Sequence, residues 1–126
     1  MERTLILIKP DAIRKKCVGE IIRRLEEVCD IVAIRTVTPM PELLEQHYEM
    51  HKGKDFFNGL IAFMLTGQIH ALIVEGEEVI RKTRELMGGV SNPSKGTIRG
   101  DFGSQPPATL IHGSDSVEAA EREIKL

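Results

Sequence analysis

The chain has 126 residues, 41% of them hydrophobic and 29% charged, with a formal net charge of -2. That is enough chain for one domain with a real core, and the near-neutral balance excludes any general electrostatic pull toward nucleic acid or an anionic membrane. No apolar run reaches the length of a membrane span and no secretory leader pattern opens the sequence, so the expected location is the cytoplasm. Two cysteines, Cys17 and Cys29, are too few for a disulfide scaffold and read as free thiols.

Thr4–Ile8 is a dense apolar run that reads as a strand ending at Lys9-Pro10. Val18–Val28 has helical spacing, with Val18, Ile21, Ile22 and Leu25 on one face. Ile31–Val37 predicts a second strand, and Pro41 opens a helix over Pro41–Met50. A further helix follows over Phe56–Leu65, then a strand over Gln68–Val74. Glu77–Met87 is a helix stopped by Gly88-Gly89. Ser91–Gly103 reads as a long glycine-containing loop, Thr109–Ile111 as a short final strand, and Ser116 as the cap of a closing helix over Val117–Ile124. This order is compatible with a split βαβ sheet whose helices cover one face.

Several short motifs lack their context. Asp101-Phe102-Gly103 copies a protein-kinase triplet in a chain too short for that fold. Gly89–Lys95 approaches a P-loop but has Ser94 for the second glycine. His47 and His51 share a helix spacing without a third ligand and read as structural, as does His70 inside a strand. His112 is different. It ends a strand, Gly113 lets the backbone turn away, and neutral imidazole is a competent nucleophile near pH 7. Glu123 is a candidate partner for its second ring nitrogen. Lys9, Arg84 and Arg99 sit at element ends or in the long loop, where they could converge on a compact anion. One of Phe56-Phe57 could cover a nucleobase.

These residues resemble one family, nucleoside diphosphate kinase. The matching stretches are Ile8-Lys9-Pro10-Asp11-Ala12, His47-Tyr48, Phe56-Phe57, Gly96-Thr97-Ile98-Arg99-Gly100-Asp101-Phe102 and Ile111-His112-Gly113-Ser114-Asp115-Ser116, followed by Glu123-Ile124. The resemblance runs nearly end to end and implies a single domain over 1–126. It implies a ferredoxin-like βαββαβ core, an antiparallel sheet with helices packed on it, and a ping-pong reaction between nucleoside tri- and diphosphates such as ATP through a phosphohistidine at His112. It further implies Mg²⁺ held mainly by the nucleotide phosphates, with no metal-binding residue of the protein's own, and a homo-oligomer, hexamer or tetramer. Glu123 matches the residue orienting the histidine and Ser114 its hydrogen-bond partner. Lys9, Tyr48, Phe57, Arg84, Ser91 and Arg99 match or nearly match nucleotide-binding positions. Thr109 stands where the family usually has the Asn that contacts the sugar, and the 92–96 loop is shorter than usual. A catalytically weakened nucleotide-binding or regulatory relative is the alternative these departures leave open.

Overall fold

The computed structural model describes residues 2–55, 57–89, 93–103, 109–114, 116 and 123. Its strands are β1 (Glu2–Ile8), β2 (Asp30–Val37), β3 (Ile69–Gly76) and β4 (Ile111–Gly113). Its helices are α1 (Pro10–Arg14), α2 (Val18–Glu26), α3 (Pro41–His47), α4 (Phe57–Met64), α5 (Val79–Met87) and α6 (Ile98–Phe102). The strands form one sheet in the order β2-β3-β1-β4, and every neighbouring pair is antiparallel. This is the ferredoxin-like α+β arrangement, with β1-α2-β2 and β3-α5-β4 as its two halves.

Strand β1 is apolar without alternation, Leu5-Ile6-Leu7-Ile8, because both faces of the sheet are covered. Ile6 and Ile8 pack with Leu72 and Val74 against Ile21 and Leu25 of α2 and Val79 and Met87 of α5. Leu5 and Leu7 face the other way, onto Leu44 at α3 and Phe57, Leu60 and Met64 of α4. The expectation that helices cover one face is therefore corrected: the α3–α4 pair, inserted between β2 and β3, closes the second face.

Two helices differ from the sequence expectation. Pro10 ends β1 as expected but also starts α1, because a proline at the first helical position loses no hydrogen bond. The expected loop over Ser91–Gly103 contains α6, whose first turn is capped by Thr97 accepting from the Gly100 amide. Gly100 lies against the Ser94 carbonyl, where any Cβ would collide. The closing helix expected over 117–124 lies outside the described residues, apart from Glu123, which is helical. The two thiols, Cys17 and Cys29, form no disulfide.

Candidate active site

Register places the central histidine. Leu7 pairs with His112, and directly paired residues of antiparallel strands share a face. Leu7 faces α3, so His112 meets the C-terminal end of that helix. His47, in its last turn, lies edge-on to the His112 ring with centroids 4.7 Å apart, and the Tyr48 ring lies 5.8 Å away. The His112 side chain keeps 24% of its surface exposed, whereas Glu123 behind it keeps 3%.

Glu123 Oε1 is the focus of the site. It accepts from Ser114 Oγ at 3.2 Å and lies 2.7 Å from His112 Nε2 and 3.7 Å from His47 Nε2. Burial works to raise the Glu123 pKa, but the hydrogen bond and charge of His112, with His47 and Ser114, outweigh it and hold the carboxyl below its usual value. An ionised acceptor at Nε2 fixes that nitrogen as the protonated one and leaves Nδ1 as the ring's lone-pair nitrogen.

Cations gather at the same strand ends. Lys9 follows β1, its amide donates to the Leu110 carbonyl at 2.8 Å, and its buried ammonium donates to Thr109 Oγ1 at 3.2 Å. Arg99, from α6, donates to the carbonyls of Thr109, Gly88 and Ile111 at 3.3, 2.8 and 2.6 Å. Burial lowers its pKa to about 10, with Arg84 pushing the same way and Tyr48 against, so it stays charged at neutral pH. Arg84, exposed on α5, donates to the Gly113 carbonyl at 2.9 Å. Tyr48 is 4% exposed, and burial pushes its phenol pKa up, keeping it neutral. No helix among the described residues is long and apolar enough to cross a membrane.

His112, Glu123, Ser114 and Tyr48 are thus brought together, with Lys9, Arg84 and Arg99 on the backbone around them. Phe57 is a different matter. It is 7% exposed and packed with Leu44, Leu60 and Met64, so its ring is taken up by the core and offers no open stacking face. Ser91 lies outside the described residues. Sequence reasoning missed His47 as a site residue. The signal was its position directly before Tyr48, at the end of a helix that had to bury one face. It also missed that Thr109, read only as a shortened sugar contact, gives its hydroxyl to Lys9.

The family model for nucleoside diphosphate kinase matches residues 2–126. A nucleoside diphosphate kinase of Methanococcus maripaludis is 46% identical over 129 aligned positions, covering 100% of this chain and 97% of that protein. One of Mycobacterium tuberculosis is 48% identical, covering 99% and 95%. The apo crystal structure of nucleoside diphosphate kinase from Encephalitozoon cuniculi superposes with a TM-score of 0.96 at 42% identity, covering 99% of this chain and 87% of that one. A crystal structure of the Aquifex aeolicus nucleoside diphosphate kinase superposes with a TM-score of 0.93 at 36% identity, covering 98% of this chain and 92% of that one.

Burial lowers the Lys9 pKa from 10.5 to about 8; Asp11 opposes the fall and Arg99 adds to it. The folded chain therefore binds this proton less tightly than the unfolded chain. Below pH 8 both states are protonated and the penalty, about 3 kcal/mol, applies in full; between pH 8 and 10.5 it fades. Lys9→Met should thus be more stable than the wild type at pH 7, by about 1–3 kcal/mol after loss of the Thr109 hydrogen bond. Urea unfolding should show the gap closing as pH rises past 8. A variant less stable than the wild type at pH 7 would contradict the buried-charge account.

Proposed function

The chain belongs to the nucleoside diphosphate kinase family, whose reaction moves a phosphoryl group between nucleoside tri- and diphosphates, and from that premise we propose that His112 carries the group. The chain is a phosphotransferase that binds nucleotides. The observation that carries the assignment is the 2.7 Å contact from His112 Nε2 to the buried Glu123, on a ring that is still a quarter exposed. With Nε2–H held there, Nδ1 attacks the γ-phosphorus, an N–P bond forms, and the bond to the bridging oxygen of the departing diphosphate breaks. A second nucleoside diphosphate then takes the group by the reverse steps. The complete set of hydrogen bonds among His112, Ser114 and Glu123 favours this reading over a catalytically weakened relative.

The chemistry needs a divalent metal, and we assign Mg²⁺. Mg²⁺ takes oxygen ligands. Among the described residues the carboxylate beside His112 is Glu123, which is engaged with imidazole, and Asp11 beside Lys9 is buried and bonded to the Leu110 amide. That donor set suits a metal carried on the phosphate oxygens, where it neutralises charge. The protein's own contribution is Lys9, Arg84 and Arg99, with Tyr48 walling the pocket and Ser91 as a nucleotide contact by resemblance. Arg99 keeps two of its five N–H groups beyond its three carbonyl bonds, enough to meet a phosphate.

With Phe57 inside the core, Phe56 is the member of the pair assigned to the base. Stacking is base-tolerant, so purines and pyrimidines are both accepted. The reading also includes one domain over 1–126, a cytoplasmic setting in keeping with two unpaired thiols, and a homo-oligomer, hexamer or tetramer. The edge strand β2 supports the last. It lies at the end of the sheet and leaves Val32 and Ile34 46% and 57% exposed, an open edge suited to a second copy.

Incubation with γ-labelled ATP should place acid-labile label on the wild type, transferable to any nucleoside diphosphate. His112→Ala should take no label and transfer at least about 10³-fold more slowly. A labelled, active His112→Ala protein would remove the mechanism. Phe56→Ala should raise nucleotide KM about tenfold at unchanged stability. Phe57→Ala should instead cost about 3–5 kcal/mol in unfolding; the reverse pattern would exchange the two roles. Light scattering should show Ile34→Lys at a smaller mass than the wild type, and an unchanged mass would clear β2 of any role in assembly.

A further inference from the structure

Beside His112 and Glu123 lies a third ligand-bearing side chain, His47, that the phosphoryl-transfer reading leaves unused. His47, His112 and Glu123 each offer one ligand atom, and these atoms lie within 4.8 Å of one another. The Nε2 atoms of both rings converge on Glu123 Oε1, at 3.7 and 2.7 Å. The last turn of α3 supplies one ligand and β4 another, so sheet and helix packing fix their spacing. His47 and Glu123 are buried, while His112 opens to solvent.

Two imidazole nitrogens and one carboxylate oxygen suit zinc, which favours nitrogen and tolerates three protein ligands plus a water. They do not suit magnesium, which asks for near-octahedral oxygen. Bonds of about 2.1 Å to a tetrahedral centre separate ligand atoms by roughly 3.4 Å. The observed 2.7 and 3.7 Å lie on either side of that value, within reach of small side-chain rotations.

We propose that His47, His112 and Glu123 form a binding site for a borderline-soft divalent cation of the Zn²⁺ class, and that filling it stops phosphoryl transfer. The site stands on its geometry; the stopping rests on the reading of His112 as the nucleophile. Zinc bonds to His112 Nε2 and displaces its proton. The neutral ring then carries that proton on Nδ1, the nitrogen that would attack phosphorus, and the nucleophilic lone pair is lost. Glu123 Oε1 passes from accepting that N–H to binding the metal. Mg²⁺ on a nucleotide does not compete for this donor set.

The test uses the full chain, stripped of metal and nucleotide, and Zn²⁺ alone. The chain has four histidines, so nitrogen NMR of the wild type reads them separately. Zn²⁺ should shift the rings of His47 and His112 and leave those of His51 and His70. Calorimetry on His47→Gln should show Zn²⁺ affinity lower by about 100-fold or more. With excess Mg²⁺ present, Zn²⁺ should abolish labelling of His112 by γ-labelled ATP, and a zinc-selective chelator should restore it. Unshifted rings, or shifts at His51 and His70 instead, overturn the site, and because the wild type gives this readout it does not depend on a variant folding. Zinc bound at His47 and His112 with labelling undiminished overturns the switch. Absence of label before any zinc is added counts against His112 as nucleophile, and the ring resonances still decide the site.

Discussion

One buried guanidinium holds the site in place. Arg99 ties the carbonyl of Gly88, at the end of α5, to those of Thr109 and Ile111 on either side of the turn into β4. Strand β4 is three residues long and pairs with β1 alone, too little to be rigid by itself. Arg99 cross-links it to two helices. Removing the guanidinium would strand acceptors in the interior at about 1–3 kcal/mol each. The carbonyl before His112 belongs to Ile111 and the one after it to Gly113, which Arg84 holds. The His112 ring is thus clamped on both sides along its own backbone by cations.

The turn that feeds β4 is held as tightly. Leu110 has a φ of 69°, a left-handed conformation unfavourable for a side chain of its size. Such strain costs on the order of 1–3 kcal/mol and persists only where the surroundings impose it. Here both backbone groups of Leu110 are taken. Its amide donates to Asp11 Oδ2 and its carbonyl accepts from the Lys9 amide. The buried leucine side chain anchors the same residue in the core. The Pro10 start of α1 sets Asp11 and Lys9 side by side, so the end of β1, the short helix and the strained turn form one unit beneath Lys9 and His112.

The regular elements were legible in the sequence because each satisfied a local rule. The apolar stripe of α2, the Gly88 stop of α5 and the β-branched β2 all lie within a few residues of their expected ends. What was missed depends on tertiary closure. Leu5 and Leu7 revealed the second covered face only as an absence of alternation, which a short strand states weakly. Helix α6 hid among glycines because its cap, Thr97 to Gly100, is a side-chain bond that composition does not show. His112 stood out by its place at a strand end before Gly113, with Glu123 as a candidate partner, and the family resemblance pointed to the same pair. His47 was set aside because its partners arrive from a different strand and a residue near the chain's end. A single stretch of sequence holds no trace of that meeting.

The acid in the site poses an electrostatic problem on the proposed mechanism, and burial answers it. A nucleotide phosphate is strongly anionic, and a carboxylate close by repels it. Yet the imidazole needs an anionic acceptor on Nε2 to keep Nδ1 unprotonated. Glu123 lies behind the His112 ring at 3% exposure, fed by Ser114 and flanked by His47. Its charge is met by donors on the protein side. On that mechanism the phosphate meets the ring edge, with the cations of Lys9, Arg84 and Arg99 held at the neighbouring strand ends. Polarity thus changes sign across a single imidazole, and a chain of net charge -2 can gather a few cations at one site without being basic overall. On the cation site proposed above, the same inversion lets the back of the ring receive a borderline-soft cation. Glu123 and His47 behind that ring are, by their chemistry, two of the three protein ligands of the proposed zinc site.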